Sequence, residues 1–177
     1  MMFAPGYHKG ISPYGRWTVT AAHLAPGWLK SQNPQDDFAF LTAAPQTING
    51  RLMEIEQVAG AYQLGGKPRS GEAITVLGYP AGSDNDAITC RTTVYFTGAF
   101  SAFDCSGYVD GTSGGPWLVN TARGARIVGV IGGINQGGCV DPTSYSSLLT
   151  QAAQKVYAQA SDHAAPDIAP TPGSDGC

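Results

Sequence analysis

Three side chains in this sequence are of the types used in acyl-transfer chemistry: Ser113, Asp37 and His23. Ser113 sits in Asp110-Gly111-Thr112-Ser113-Gly114-Gly115-Pro116-Trp117, a hydroxyl framed by three glycines and followed by a proline. Glycine accepts positive φ and has no Cβ to block a ligand, so such a run turns sharply and aims successive backbone N–H groups at one point. The N–H groups of Gly111 and Ser113 are the expected donors to the negative oxygen that forms when Ser113 Oγ attacks a carbonyl. A seryl hydroxyl is a weak nucleophile at neutral pH and needs a base, normally a histidine held by a buried carboxylate. Asp37, which opens Asp37-Phe38-Ala39-Phe40-Leu41, is the expected carboxylate, and His23 closes Thr20-Ala21-Ala22-His23. His8 lies in a turn-rich segment and His163 in a proline-rich tail, so neither is a stronger base candidate than His23.

The same serine also fits Gly-x-Ser-x-Gly, the sharp strand-to-helix turn of α/β-hydrolases, and the surrounding sequence argues against that. The turn needs a helix straight after the serine, then an acid and a histidine further along. Gly114-Gly115-Pro116 opposes a helix, Trp117-Leu118-Val119 reads as strand, and the only later histidine is His163.

The elements that must position these groups are short. The chain has 177 residues with 24 glycines, 12 prolines and 13% charged residues, which favours many strands and turns over long surface helices. Arg16 to Ala22 alternates as a half-buried strand with Trp17, Val19 and Ala21 on one face. Asp37 to Leu41 reads as a strand buried on both faces, and Ile55 to Gly66 as strand and turn. Ala73 to Tyr79, Thr92 to Phe96 and Ile127 to Gly133 are further strands. Tyr145 to Ala160 carries Leu148, Leu149, Ala152, Val156 and Tyr157 at helical spacing, and residues 161–177 read as a flexible tail.

Ten basic against 13 acidic residues give a net charge of 10 − 13 = −3 with no basic cluster, so nucleic acid and anionic membranes are poor candidate partners. The longest apolar run, Ile127 to Ile134, falls far short of the roughly 20 residues of a transmembrane helix. The histidines and cysteines lack the spacing of a metal site, and no cofactor is expected. Met1 to Pro5 has neither the basic start nor the apolar core of a signal peptide, yet four cysteines point to an oxidising compartment. Cys90 and Cys105 flank a strand-turn segment and are the first choice for a disulfide. The spacing leaves Cys139 and Cys177 open.

Gly-x-Ser-Gly-Gly-Pro at 111–116 resembles the nucleophile motif of the chymotrypsin/trypsin-like serine peptidases. Asp37 matches the Asp-hydrophobic-Ala-hydrophobic-Leu strand that carries their buried acid, whereas Asp36 is one residue out of register. Phe3 to Trp17 resembles the segment just after the catalytic histidine in secreted actinobacterial members. The resemblance implies an all-β, chymotrypsin-like double β-barrel: an incomplete first barrel over residues 1–60, then a second barrel with a C-terminal helix over 61–160. It implies secretion, peptide or protein substrates, and peptide-bond hydrolysis through an acyl-enzyme on Ser113. Gly107 is then expected at the base of the substrate side-chain pocket, with Gly132 and Gly133 in its wall. A glycine where trypsin has an acid implies no strong preference for basic side chains. Thr112 stands where zymogens of the family carry the aspartate that captures a new N-terminus, so activation of that kind is not expected.

His23 fits the resemblance poorly as the base. Two strands and their connections separate histidine from aspartate in that fold, roughly 20 residues or more, and here the interval is 37 − 23 = 14. His23 is therefore read as a strand-end histidine, and the alignment puts the base and the first strands before Met1. The chain by itself is then expected to show little or no peptidase activity, with an unpaired sheet edge in its first half. The competing reading is a non-catalytic peptidase-like domain that binds peptides or proteins through the same cleft.

Overall fold

Runs of β-branched and aromatic residues broken by glycine and proline fold here into short strands with few helices. The computed structural model describes residues 1–82 and 86–171. In chain order these form β1 (Met2–Phe3), β2 (Trp17–Leu24), α1 (Pro26–Ser31), β3 (Ala39–Ala43), β4 (Gln46–Ile48), β5 (Arg51–Met53), α2 (Ile55–Ala59) and β6 (Gln63–Leu64). The second half adds β7 (Ala73–Gly78), β8 (Ile88–Thr93), β9 (Tyr95–Thr97), β10 (Phe100–Asp104), β11 (Pro116–Thr121), β12 (Gly124–Val130), β13 (Thr143–Ser146) and α3 (Gln151–Ser161).

Among the described residues the strands make four sheets: β1-β2-β3, β4-β5, β6-β12-β11-β7-β8 and β13-β10-β9. None closes on itself, so the second half is two sheets joined along one side, where Gly132 N donates to Tyr145 O at 3.0 Å. Their shared core holds Ile74, Val76, Phe103, Trp117 and Val128. Phe103 meets both Tyr108 and Trp117 edge to face, with ring centroids 5.2 and 5.0 Å apart, an arrangement favoured by the ring quadrupoles. Cys90 and Cys105 are disulfide-bonded across β8 and the end of β10. No described cysteine is a free thiol, and Cys177 lies outside the described residues. No described helix is long and apolar enough to cross a membrane.

The first half holds the three-stranded sheet, covered on one face by α3, and the β4-β5 pair. A second buried cluster, Ala25, Phe38, Leu149, Ala153 and Val156, joins the two. The helix expected from Tyr145 begins only at Gln151, where the Thr150 side chain accepts from Ala152 N as an N-cap. Ser144, Tyr145 and Ser146 instead pair with Phe103, Ala102 and Ser101 of β10, and the two serines are buried. Two other short helices fall where strand or loop is expected. α1 opens with a proline in its first turn, and α2 is held by a capping box between Glu54 and Gln57.

Residues 164–171 of the expected tail run back along β2. Asp167 N donates to Ala22 O at 2.9 Å, Leu24 N donates to Asp167 Oδ2 at 2.9 Å, and Gln32 Nε2 donates to Thr171 O at 2.7 Å. β1 covers this edge of β2 only at Trp17 and Thr18. The Asp167 carboxylate blunts part of the remainder, as inward-pointing charges do on natural sheet edges.

Candidate active site

The Ser113 turn is fastened from below and open from above. Thr112 is buried. Its N–H and hydroxyl both donate to Val109 O, at 3.2 and 2.8 Å, and its carbonyl accepts from Gly115 N at 2.9 Å. Gly114 N donates to Ile131 O at 2.8 Å and Ile131 N to Gly115 O at 2.9 Å, stitching the turn to the segment after β12. The N–H groups of Gly111 and Ser113 have no hydrogen-bond partner among the described residues, so both donors stay available beside an exposed hydroxyl. Gly111 has φ +91°, and a Cβ there would lie 2.7 Å from Ala81 N and 2.9 Å from Tyr79 O. The loop behind it is itself tied in, since Ala81 N donates to Asp110 O at 2.6 Å and the Tyr79 hydroxyl to Tyr7 O at 2.6 Å. Burial first, then Asp86 and Tyr7, raise the Tyr79 phenol above its usual pKa, and burial raises that of Tyr108. Both phenols therefore act as neutral donors, Tyr108 to Val76 O at 2.9 Å.

Asp37 follows a 3-10 turn at Pro34–Asp36 that separates the two neighbouring acids. The Asp36 carboxylate turns back to accept from Asn33 Nδ2 at 3.0 Å, while Asp37 Oδ2 accepts from Gly133 N at 2.7 Å. A Cβ on Gly132 would sit 2.9 Å from Asp37 Oδ2, so the carboxylate's approach depends on that residue having none. The nucleophile turn is thus anchored at Ile131 and the carboxylate at Gly133. Only Gly132 lies between the two anchors along the chain, in a bent segment where Gly133 has φ +89°.

Asp37 and Ser113 both line a cleft of about 770 Å³ whose apolar walls include Leu24, Trp28, Phe38, Leu41 and Ile134. No histidine lines it. His23 is 2% exposed and pairs with Phe40 across β2 and β3, so its side chain shares the face of Phe40. Phe40 packs against Tyr157 of α3, at a ring-centroid distance of 5.4 Å. Leu24, the next residue along, is the one that faces the cleft. Strand alternation therefore turns His23 under the helix, where its Nε2 has no hydrogen-bond partner among the described residues. His8 Nδ1 lies 2.9 Å from Gly6 O, and His163 follows α3. Because a buried, unpaired polar nitrogen is destabilising, His23→Leu is expected to leave stability unchanged or raise it by up to about 1–2 kcal/mol. Denaturant midpoints check this, and Ser113 reactivity measured alongside is expected not to change.

Beside Ser113 lies a smaller pocket of about 280 Å³, lined by Tyr108 to Ser113, Ile131 and Asn135 to Gly138. Gly107 is outside its lining: it is exposed, with its N–H donating to Asp141 Oδ1 at 2.9 Å. Gly132 and Gly133 line the larger cleft and not this pocket. Asp110 is the pocket's only charged lining residue. Sequence reasoning singled out neither the Gly133 N–H that receives Asp37 nor Ser147, whose buried hydroxyl reaches the Asp37 loop. The serines at 144 and 146, which flank the first residue of the expected helix, were the available signal for strand there.

No protein-family model and no curated protein sequence matches the chain. Solved structures do. The protease Anisep from Arthrobacter nicotinovorans is similar at TM-score 0.76 and 26% identity over 91% of this chain and 74% of its own. The thermostable serine protease AL20 from an extremophilic microorganism is similar at TM-score 0.75 and 23% identity, over 91% and 74%. A Glu endopeptidase aligns at TM-score 0.70 and 18% identity, over 90% and 70%. The chain has the chymotrypsin-like serine protease fold.

Proposed function

We propose that this chain carries the nucleophile, the oxyanion site and the orienting carboxylate of a serine endopeptidase. In this reading Ser113 Oγ attacks the scissile carbonyl and forms an acyl-enzyme, while the Gly111 and Ser113 N–H groups hold the developing oxyanion. Asp37 orients the imidazole that takes the serine proton. The observation that carries it is a serine with two unused N–H groups beside it, its own and that of Gly111, which lines the same cleft as the Asp37 carboxylate. The reading divides the chain into a partial first barrel over residues 1–60 and a second over 61–160, with the cleft between them. Substrates are peptides or proteins, and the Cys90–Cys105 disulfide fits secretion.

His8, His23 and His163 all lie outside the cleft lining, which favours a second reading, a peptidase-like domain that binds peptides without cutting them. Fluorophosphonate labelling tests the choice. Slow, stoichiometric modification that maps to Ser113 and vanishes in Ser113→Ala supports the serine hydrolase. A wild-type Ser113 that stays unmodified supports the binding domain. Fast labelling, at the rate of an intact triad, would show that one of the three histidines does serve as the base.

A further inference from the structure

Ser147 occupies a position that no step of the reaction uses directly. It is 1% exposed, immediately after β13, and its hydroxyl lies 2.9 Å from Pro34 O and 3.3 Å from Asp37 O. A serine has one hydroxyl proton to donate, so the shorter contact to Pro34 O dominates and Asp37 O shares it. These two carbonyls begin and end the four-residue loop that delivers the Asp37 carboxylate. On its other side Ser147 abuts the residue that receives that carboxylate: a Cβ on Gly133 would be 3.1 Å from Ser147 N.

The strand end is itself fixed. The Ser146 hydroxyl donates to Ser147 O at 2.8 Å and accepts from Val130 N at 3.0 Å, which ties β13 to β12. Ser147 therefore touches both members of the Asp37–Gly133 contact from a rigid base in the other half of the molecule. A buried hydroxyl is costly unless paired, and here its available partners are the carbonyls of the loop that carries the acid.

We propose that Ser147 is a positioning residue for Asp37, clamping the Pro34–Asp37 loop to the end of β13 so that the carboxylate meets Gly133 N and faces the cleft. The inference rests on the assignment of Asp37 as the orienting acid, and its test is arranged to fail separately from that assignment.

Amide hydrogen exchange gives the readout. Gly133 N donates to Asp37 Oδ2, whereas its neighbour Gly132 N donates to Tyr145 O within the second half and serves as the internal reference. In Ser147→Ala, exchange at Gly133 is expected to speed up about three- to tenfold relative to Gly132, the effect of losing one ordinary hydrogen bond. Imidazole-assisted labelling of Ser113 is expected to fall by a similar factor. Ser147→Thr keeps the hydroxyl and is expected to restore both. Unchanged exchange at Gly133, or equal acceleration at Gly132 and Gly133, overturns the proposal, because a serine that merely stabilises the core moves both amides together. Asp37→Asn separates the two ideas. If it leaves imidazole-assisted labelling intact while Ser147→Ala still selectively frees Gly133, the catalytic assignment of Asp37 falls and the clamp stands.

Discussion

Imidazole in tens of millimolar is expected to accelerate fluorophosphonate labelling of Ser113 at least about tenfold, a fraction of the 10²–10⁴ that a fixed general base supplies. The serine turn is already anchored to Ile131 and the carboxylate to Gly133, and the roughly 770 Å³ cleft between them admits a free ring. A ring entering there can donate one N–H to Asp37 and accept the proton of Ser113, which is the geometry of a bound histidine without the covalent link. The cost of bringing the ring in from solution is the reason the acceleration stays well below that of a tethered base. Its sign with pH follows from the role. Neutral imidazole is the base, so the effect grows as pH rises through the titration of free imidazole and disappears below it. Asp37→Asn is expected to abolish most of the acceleration, because an amide in that position holds the ring in the wrong tautomer. An equal effect in wild type and Asp37→Asn would reduce it to buffer catalysis in solution. No effect in either would leave the peptide-binding reading in possession of the cleft.

The parts of the molecule legible in the sequence and the parts that were not divide along a physical line. The Ser113 turn was legible because the residue types that shape it, three glycines, the serine and the proline, fall within eight consecutive residues, although its anchors at Ile131 and Ala81 lie outside them. Asp37 was legible only through the register of the resemblance, which separates it from Asp36; the strand expected to be buried on both faces from Asp37 starts at Ala39 and leaves Ala39 and Leu41 exposed. The partner of Asp37 was not. Gly133 N–H lies 96 residues away, and a backbone donor has no residue type to announce it. The two short helices were missed for the opposite reason. Pro26-Gly27 is a weak helix signal on propensity and α2 is only five residues long, and neither helix buries a residue: α1 starts on its first-turn proline and α2 on the reciprocal Glu54–Gln57 capping box.

The helix predicted from Tyr145 shows how the two periods compete. Leu149, Ala153 and Val156 do follow helical spacing and do face the core. The residues just before them follow period two, with Ser144 and Ser146 inward, and an unpaired β10 edge captured them as β13. His23 is the instructive residue for function. His23 was the strongest base candidate by residue type, and the 14-residue interval to Asp37 together with the resemblance of Phe3 to Trp17 argued against it. In the fold, pairing with Phe40 directs the ring beneath α3, away from the face on which Leu24 meets the cleft.

Gly111→Ala is expected to lower the labelling of Ser113 about a hundredfold or more, with or without imidazole, which is the usual effect of losing one oxyanion donor. Two costs coincide at this position. The backbone is held at φ +91°, a region where an L side chain is strained by about 1–2 kcal/mol. The new Cβ would also fall 2.7 Å from Ala81 N and 2.9 Å from Tyr79 O, both backbone atoms, and Ala81 N is itself bonded to Asp110 O. Ala81 N cannot retreat without breaking that bond, so the turn is expected to move instead, and the Gly111 N–H with it. The total loss of stability is expected to be about 2–4 kcal/mol. Gly98, with φ +58° and nothing within 4 Å of a new Cβ, isolates the strain alone. Gly98→Ala is expected to cost about 1 kcal/mol and to leave Ser113 reactivity untouched. Denaturant midpoints and labelling rates on the two variants compare the effects directly. If Gly111→Ala loses no more than Gly98→Ala in stability and retains labelling, the Gly111 N–H is not holding the oxyanion, and Ser113 would have to react without that donor.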